Sequence, residues 1–262
     1  MNVEKMSPSE ARALIRSNDW TRPTAGMASG FTQANLAILK KDLAFEFLLF
    51  CQRNPKPCPI LDVTEPGSPV PRLVAPTADL RTDIPKYRIY EHGELTNEVD
   101  NITKYWNDDM VAFLIGCSFT FEQPLMNNGI PIRHIEENCN VPMYKTNIQT
   151  VKAGRFEGPM VVSMRPVAHR DVVRAVQVTS RFPSVHGAPV HIGDPSVIGI
   201  NDVSKPDFGD SVSIRDNEVP VFWACGVTPQ AIAMHVKPDI MITHAPGHMF
   251  ITDKRDEDYS IL

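Results

Sequence analysis

The chain has no excess of positive charge: 26 Lys and Arg face 31 Asp and Glu, for a formal net charge of -5. That removes the basic field on which nucleic acids and anionic membrane surfaces depend. No apolar run approaches the roughly 18 residues of a membrane span, and the start M-N-V-E-K-M-S-P-S-E lacks a signal peptide's apolar centre. A cytoplasmic protein is expected. Cysteine is sparse, five residues at irregular spacing, which fits free thiols in a reducing compartment better than a disulfide framework. The patterns G-x-G-x-x-G, G-x-x-x-x-G-K-[ST], G-x-S-x-G, C-x-x-C and H-E-x-x-H are all missing. Their absence argues against dinucleotide, P-loop, serine-hydrolase and zincin chemistry.

What the chain does have is proline, 23 residues in 262, so much of it should be rigid connection between short elements. Ser7-Pro8-Ser9-Glu10 combines an N-cap, a first-turn proline and a capping-box glutamate, predicting a helix to about Ser17. Residues 41–53 carry apolar side chains nearly all round and predict a buried helix. A hairpin is expected around His92-Gly93, and Met110 to Gly116 reads as an apolar strand followed by a helix from about Phe121 to Asn128.

The most informative stretch runs from Val219 to Asp253. Val219 to Ala224 reads as a buried strand, Thr228 to Val236 as a capped helix, and Ile240 to Thr243 as a second strand, a β-α-β unit that predicts parallel pairing. The fold expected is α/β. Residues 1–129 and 218–262 form a larger three-layer domain with a largely parallel sheet, and 130–217 form an inserted two-layer α+β module. Ligands of parallel sheets bind at strand carboxyl ends. Cys225, His244, His248 and Ser118 are therefore the expected acid/base and nucleophilic groups, with the Cys225 thiol lowered in pKa by the following helix. Arg165, Lys145, His186 and the backbone at Gly226 and Thr228 are the expected substrate contacts, since guanidinium, ammonium and free N–H groups all grip carboxylates. His244 and His248 sit on a Pro-Gly turn, which denies them helical ligand spacing. No cofactor is required by these residues, and a divalent metal is left as an option.

Several longer motifs resemble one family: N-P-K-P-C-P-I-L-D-V-T-E-P-G, D-D-M-V-A-F-L-I-G-C-S-F-T-F-E, R-H-I-E-E-N-C-N-V-P-M-Y-K-T-N, G-P-M-V-V-S-M-R-P, V-H-G-A-P-V-H-I-G-D-P, F-W-A-C-G-V-T-P-Q and T-H-A-P-G-H-M-F. They are similar to the hydro-lyase family also called the D-glutamate cyclase family, over nearly the whole chain. The resemblance implies a carbon-oxygen lyase whose reaction is the dehydration of D-glutamate to 5-oxo-D-proline. The partner expected is then a small acidic molecule, with neither nucleic acid nor membrane, and a homo-oligomer left open. The alternative is a non-catalytic sensor of a small dicarboxylate, or a subunit that needs a partner.

Overall fold

In the computed structural model the described residues are 2–261, with the side chains of all but Gln230, Ala233 and Met234. The first helix, α1 (Pro8–Arg16), begins as its sequence demands: the Ser7 hydroxyl accepts from the Glu10 N–H and the Glu10 carboxylate accepts from the Ser7 N–H. It leads to β1 (Phe31–Lys40), the spine of a seven-stranded sheet. The sheet also contains β2 (Ile60–Val63), β3 (Tyr87–Glu91), β4 (Glu94–Val99), β5 (Met110–Gly116), β10 (Met241–His244) and β11 (Phe250–Arg255). A second sheet is built from β6 (Met143–Gln149), β7 (Pro159–Ala168), β8 (His191–Ile192) and β9 (Glu218–Ala224). Five further helices are α2 (Lys41–Arg53), α3 (Glu122–Asn127), α4 (Arg133–Glu136), α5 (Val172–Ser180) and α6 (Thr228–Val236).

The strand pairings overturn the expected parallel sheet, because every one of them is antiparallel. β9 and β10, taken as neighbours in one β-α-β unit, lie in different sheets, and α6 carries the chain from one to the other. Continuous hydrophobicity in a strand reports burial of both faces and says nothing about direction. Along β1, Ala34, Leu36 and Ile38 enter one core cluster while Ala37 and Leu39 enter another with Phe47 and Phe50 of α2. β5 divides in the same way, with Ala112 and Leu114 on one side and Val111, Phe113 and Ile115 on the other. An antiparallel sheet sandwiched like this reads just as apolar as a parallel one would. α2 departs from the expected buried helix, since Phe45 is 74% exposed.

One irregularity in the larger sheet positions the molecule's cavities. β10 and β11 both pair with the same side of β1 and run the same way along it, Thr243 opposite Ala37 and Phe250 opposite Ala34. Three steps along β1 thus face seven along its partner, so residues 245–249 are extruded from one interrupted strand. The His244-Ala-Pro-Gly-His248 motif starts on the last residue of β10, still paired with Tyr87, and its remaining residues form most of that extrusion. No helix among the described residues is long and apolar enough to cross a membrane.

Candidate active site

The apolar strand β5 stops at Gly116, where a side-chain Cβ would lie 2.3 Å from the Ser184 carbonyl oxygen. Beyond it a 3-10 turn over Ser118–Phe121 runs directly into α3. Ser118 and Glu122, four residues apart, are thereby brought to one guanidinium. Arg165, in the middle of β7 and 1% exposed, donates from Nη2 to the Ser118 hydroxyl at 3.0 Å and from Nη1 to the Ser163 hydroxyl at 3.0 Å. Its Nε donates to Glu122 Oε1 at 3.0 Å, and Nη2 reaches the same oxygen. The rings of Phe121 and Trp223 flank it at 5.2 and 5.6 Å from their centroids. This is a sealed, charge-assisted network.

On its other side Glu122 meets His134, whose Nε2 lies 3.3 Å from Oε1. Burial raises the Glu122 carboxyl, but His134 and Arg165 outweigh burial and hold it below the ordinary carboxylate value. His134 is set by α4, which Arg133 ties down through Glu218 at 2.6 Å, Glu136 at 2.9 Å and the Ser213 carbonyl at 2.9 Å.

Glu122 and His134 line a cavity of about 590 Å³. Its roof is the loop 24–30, held to β1 by Gln33, whose Nε2 donates to the Thr24 carbonyl at 2.8 Å and whose Oε1 accepts from the Thr24 hydroxyl at 2.7 Å. Asp256, at the end of β11, also lines it and accepts from the Thr32 hydroxyl at 3.0 Å. Burial pushes the Asp256 carboxyl up to about 6, against hydrogen bonds that favour its charged form. At the rim, Arg22 stacks on Trp20 with its guanidinium carbon 4.3 Å from the ring centroid. The cavity therefore presents an imidazole on a carboxylate, a carboxyl that titrates near neutrality, and one guanidinium. The extruded turn forms part of the same wall, with Gly247 lining the cavity.

The expected site residues are distributed over several environments. Ser118 and Arg165 meet, but Arg165 is committed to Glu122, Ser118 and Ser163 inside the protein. Cys225 lies in an apolar cluster with Val141, Met143, Val161 and Val227. Burial raises its thiol to about 11, opposite to the lowering expected from the helix start. His244 is buried, with Nδ1 accepting from the Leu36 N–H at 3.1 Å, and His186 is buried with Nδ1 2.8 Å from the Lys56 carbonyl. His248 is half-buried, 2.9 Å from the Pro246 carbonyl through Nδ1, and lines a second cleft of about 780 Å³ with Lys86, Arg88 and Phe208. Lys145 is exposed, with its ammonium 3.9 Å from Asp207. The Thr228 hydroxyl donates to the Cys225 carbonyl at 2.7 Å and accepts from the Val161 N–H at 3.1 Å. None of these eight side chains is among the groups lining the 590 Å³ cavity.

Gly226 is required for a different reason from the one its sequence suggests. A Cβ there would lie 1.9 Å from Asn35 Nδ2, the atom that donates to the Gly116 carbonyl at 2.7 Å. Gly226→Ala should therefore push the buried Asn35 amide off its acceptor and cost about 2 kcal/mol, measured as a lower urea midpoint at unchanged slope. A variant as stable as the parent would show that Asn35 swings aside freely.

Sequence reasoning passed over Glu122, His134, Asp256, Gln33 and Arg22. The first two do stand inside motifs quoted above, F-T-F-E and R-H-I-E-E-N. Among the described residues no group of three or more His, Cys, Asp and Glu side chains is placed to hold a metal ion.

The D-glutamate cyclase family model matches residues 111–253, which run from the second residue of β5 through β10 and into β11. A protein named "Putative hydro-lyase GK2103", from Geobacillus kaustophilus, is 75% identical over 98% of this chain and 98% of its own length. "Putative hydro-lyase YcsI" from Bacillus subtilis is 70% identical over 98% of this chain and 100% of its own. The solved structure of a nitrogen repressor-like protein from Methanococcus jannaschii aligns over 95% of this chain and 99% of its own at TM-score 0.38 and 10% identity, too weak a likeness to carry an argument. Matched by the family model over more than half its length and by close relatives from end to end, the chain belongs to the D-glutamate cyclase family.

Proposed function

We propose that this protein is a hydro-lyase that closes D-glutamate, or a closely related small amino acid, onto its own side-chain carboxylate, giving 5-oxo-D-proline and water. The observation that carries the reading is the 590 Å³ cavity, which lines a substrate-sized space with both His134 on Glu122 and the raised carboxyl of Asp256. Cyclisation needs the ammonium to lose two protons and the departing oxygen to gain two, so a base and an acid must face one substrate. His134 takes the proton from the attacking nitrogen, with the Glu122 carboxylate 3.3 Å from its Nε2 to orient the ring. Asp256, partly protonated near neutral pH, donates to the departing oxygen. The Asp256 carboxylate so formed then takes the second proton from nitrogen while the protonated His134 gives its proton to the departing oxygen, so that water leaves and both groups return to their starting state. A bent substrate held in this cavity supplies the orientation on which five-membered ring closure depends.

The test is incubation of the purified protein with D- and L-glutamate, with and without Mn²⁺ or Mg²⁺, and detection of 5-oxoproline by mass spectrometry. Turnover of the D-isomer is expected. Stabilisation by glutamate without turnover would favour the dicarboxylate sensor instead. Asp256→Asn keeps the shape but removes the donated proton, and is expected to lower kcat about a hundredfold with KM little changed. A kcat within twofold of the parent would take Asp256 out of the mechanism.

A further inference from the structure

Four acidic side chains line the cavity, Glu4, Glu122, Asp210 and Asp256, but its lining includes a single Lys or Arg, which is Arg22. An acidic ligand entering such a space needs a cation to offset repulsion and desolvation. Arg165 is unable to serve, being sealed behind Glu122 with its guanidinium already distributed over Glu122, Ser118 and Ser163. Arg22 is in the opposite condition. It is solvent-exposed, and its guanidinium makes no hydrogen bond or ion pair among the described residues. Its aromatic contact is the face of Trp20 at 4.3 Å, which leaves the edge of the fork open to a planar, bidentate partner. The segment that carries it is anchored, because the Thr24 N–H donates to the Gly247 carbonyl at 2.8 Å and the Thr24 hydroxyl is bound by Gln33. A guanidinium braced on an aromatic ring, above a firmly held loop and at the mouth of an acid-lined cavity, is built to receive an anion.

We infer that Arg22, stacked on Trp20, is the specificity-determining residue of this cavity, gripping the carboxylate of the substrate that does not react. This rests on the cavity being the reaction site. With one carboxylate held at the rim, the rest of a short amino dicarboxylate extends inward toward His134 and Asp256, where the second carboxylate reacts. The substrate class is therefore a small amino acid with two carboxylates, and a compound whose outer carboxylate is replaced by an amide is discriminated against at Arg22.

Glutarate carries both carboxylates and no amine, so it binds without reacting, and glutaramide is its neutral counterpart. Calorimetric titration of the full chain with each is expected to show glutarate binding that weakens roughly tenfold to a hundredfold in Arg22→Met, as for loss of a charge-assisted pair. Arg22→Lys keeps the charge without the fork and should fall between the two. Glutaramide binding should be the same in all three proteins. In turnover of D-glutamate, Arg22→Met should raise KM by a similar factor with kcat changed much less, the pattern of lost uniform binding. Glutarate affinity within twofold of the parent in Arg22→Met, or no glutarate binding by the parent, overturns the assignment. Glutarate binding that depends on Arg22 in a protein that never converts D-glutamate keeps the anchor and removes the cyclase reading. Turnover with a KM indifferent to Arg22 does the reverse.

Discussion

Arg165→Met should destabilise the protein by about 3–5 kcal/mol, the range seen when one partner of a buried ion pair is removed. Methionine fills much of the space between Phe121 and Trp223, so packing loss is a minor part of that cost. The larger part is Glu122, 5% exposed, which would lose its guanidinium partner while remaining inside the protein. His134 still lies 3.3 Å away and keeps part of the stabilisation, so the variant should fold but melt early. The double variant Arg165→Met, Glu122→Gln removes the stranded charge and should recover a measurable part of the loss. Urea unfolding of the parent, both singles and the double closes the cycle. A single variant less than about 1 kcal/mol below the parent would mean that water reaches Glu122 and the network is not sealed. Turnover should fall too, because Glu122 would no longer be held where it supports His134.

Much of the local structure was legible because its causes are local. The Ser7–Glu10 capping box, the hairpin of β3 and β4 across His92-Gly93 and the wholly buried β5 all follow from adjacent residues. Strand direction was not, since the alternating apolar faces of β1 and β5 are the same for either orientation, and the sheet to which β9 belongs is decided by its pairing with β7. The colinearity of β10 and β11 was equally hidden. Along the chain, T-H-A-P-G-H looks like a tight connection at a sheet edge; only its register with β1 makes it an excursion between two halves of one strand.

The candidate site divides along the same line. Arg165 was legible as a special cation, being an arginine at the end of an expected apolar strand between Met164 and Pro166, but its partner was not. Glu122 reads as an ordinary first-turn helix acid until β7 is laid beside it. Asp256 reads as one of several surface acids in D-K-R-D-E-D, and only its burial beside Thr32 and Thr120 turns it into a group that titrates near 6. The Cys225 thiol departs from the expected lowered pKa for a related reason. A helix start lowers a thiol pKa where the thiolate stays solvated, and around Cys225 burial among Val141, Val161 and Val227 outweighs both the Val227 N–H and the Arg165 charge that favour the thiolate.

Stability should fall as the solution is acidified from pH 7 to pH 4, and Asp256→Asn should make that fall steeper. His186 and His244 are both lowered by burial from 6.5 to about 4. Each is neutral in the folded protein, so its contribution is fully present above 6.5 and is lost as the pH drops toward 4, at about 3 kcal/mol per histidine. Asp256 works in the other direction. Its folded pKa is raised from 3.8 to about 6, so the folded state holds the proton more tightly and gains about 2 kcal/mol over the same descent. The two histidines outweigh the one aspartate, leaving a net loss of about 4 kcal/mol from these three groups. The asparagine amide of the variant cannot bind the proton, so the compensating gain disappears, while the carboxylates elsewhere act equally in both proteins and cancel in the comparison. Urea unfolding at intervals between about pH 4.5 and 7.5 measures both slopes. Identical slopes for parent and variant would mean that Asp256 titrates like an exposed carboxyl, and the same measurement would withdraw it as the proton donor of the proposed reaction.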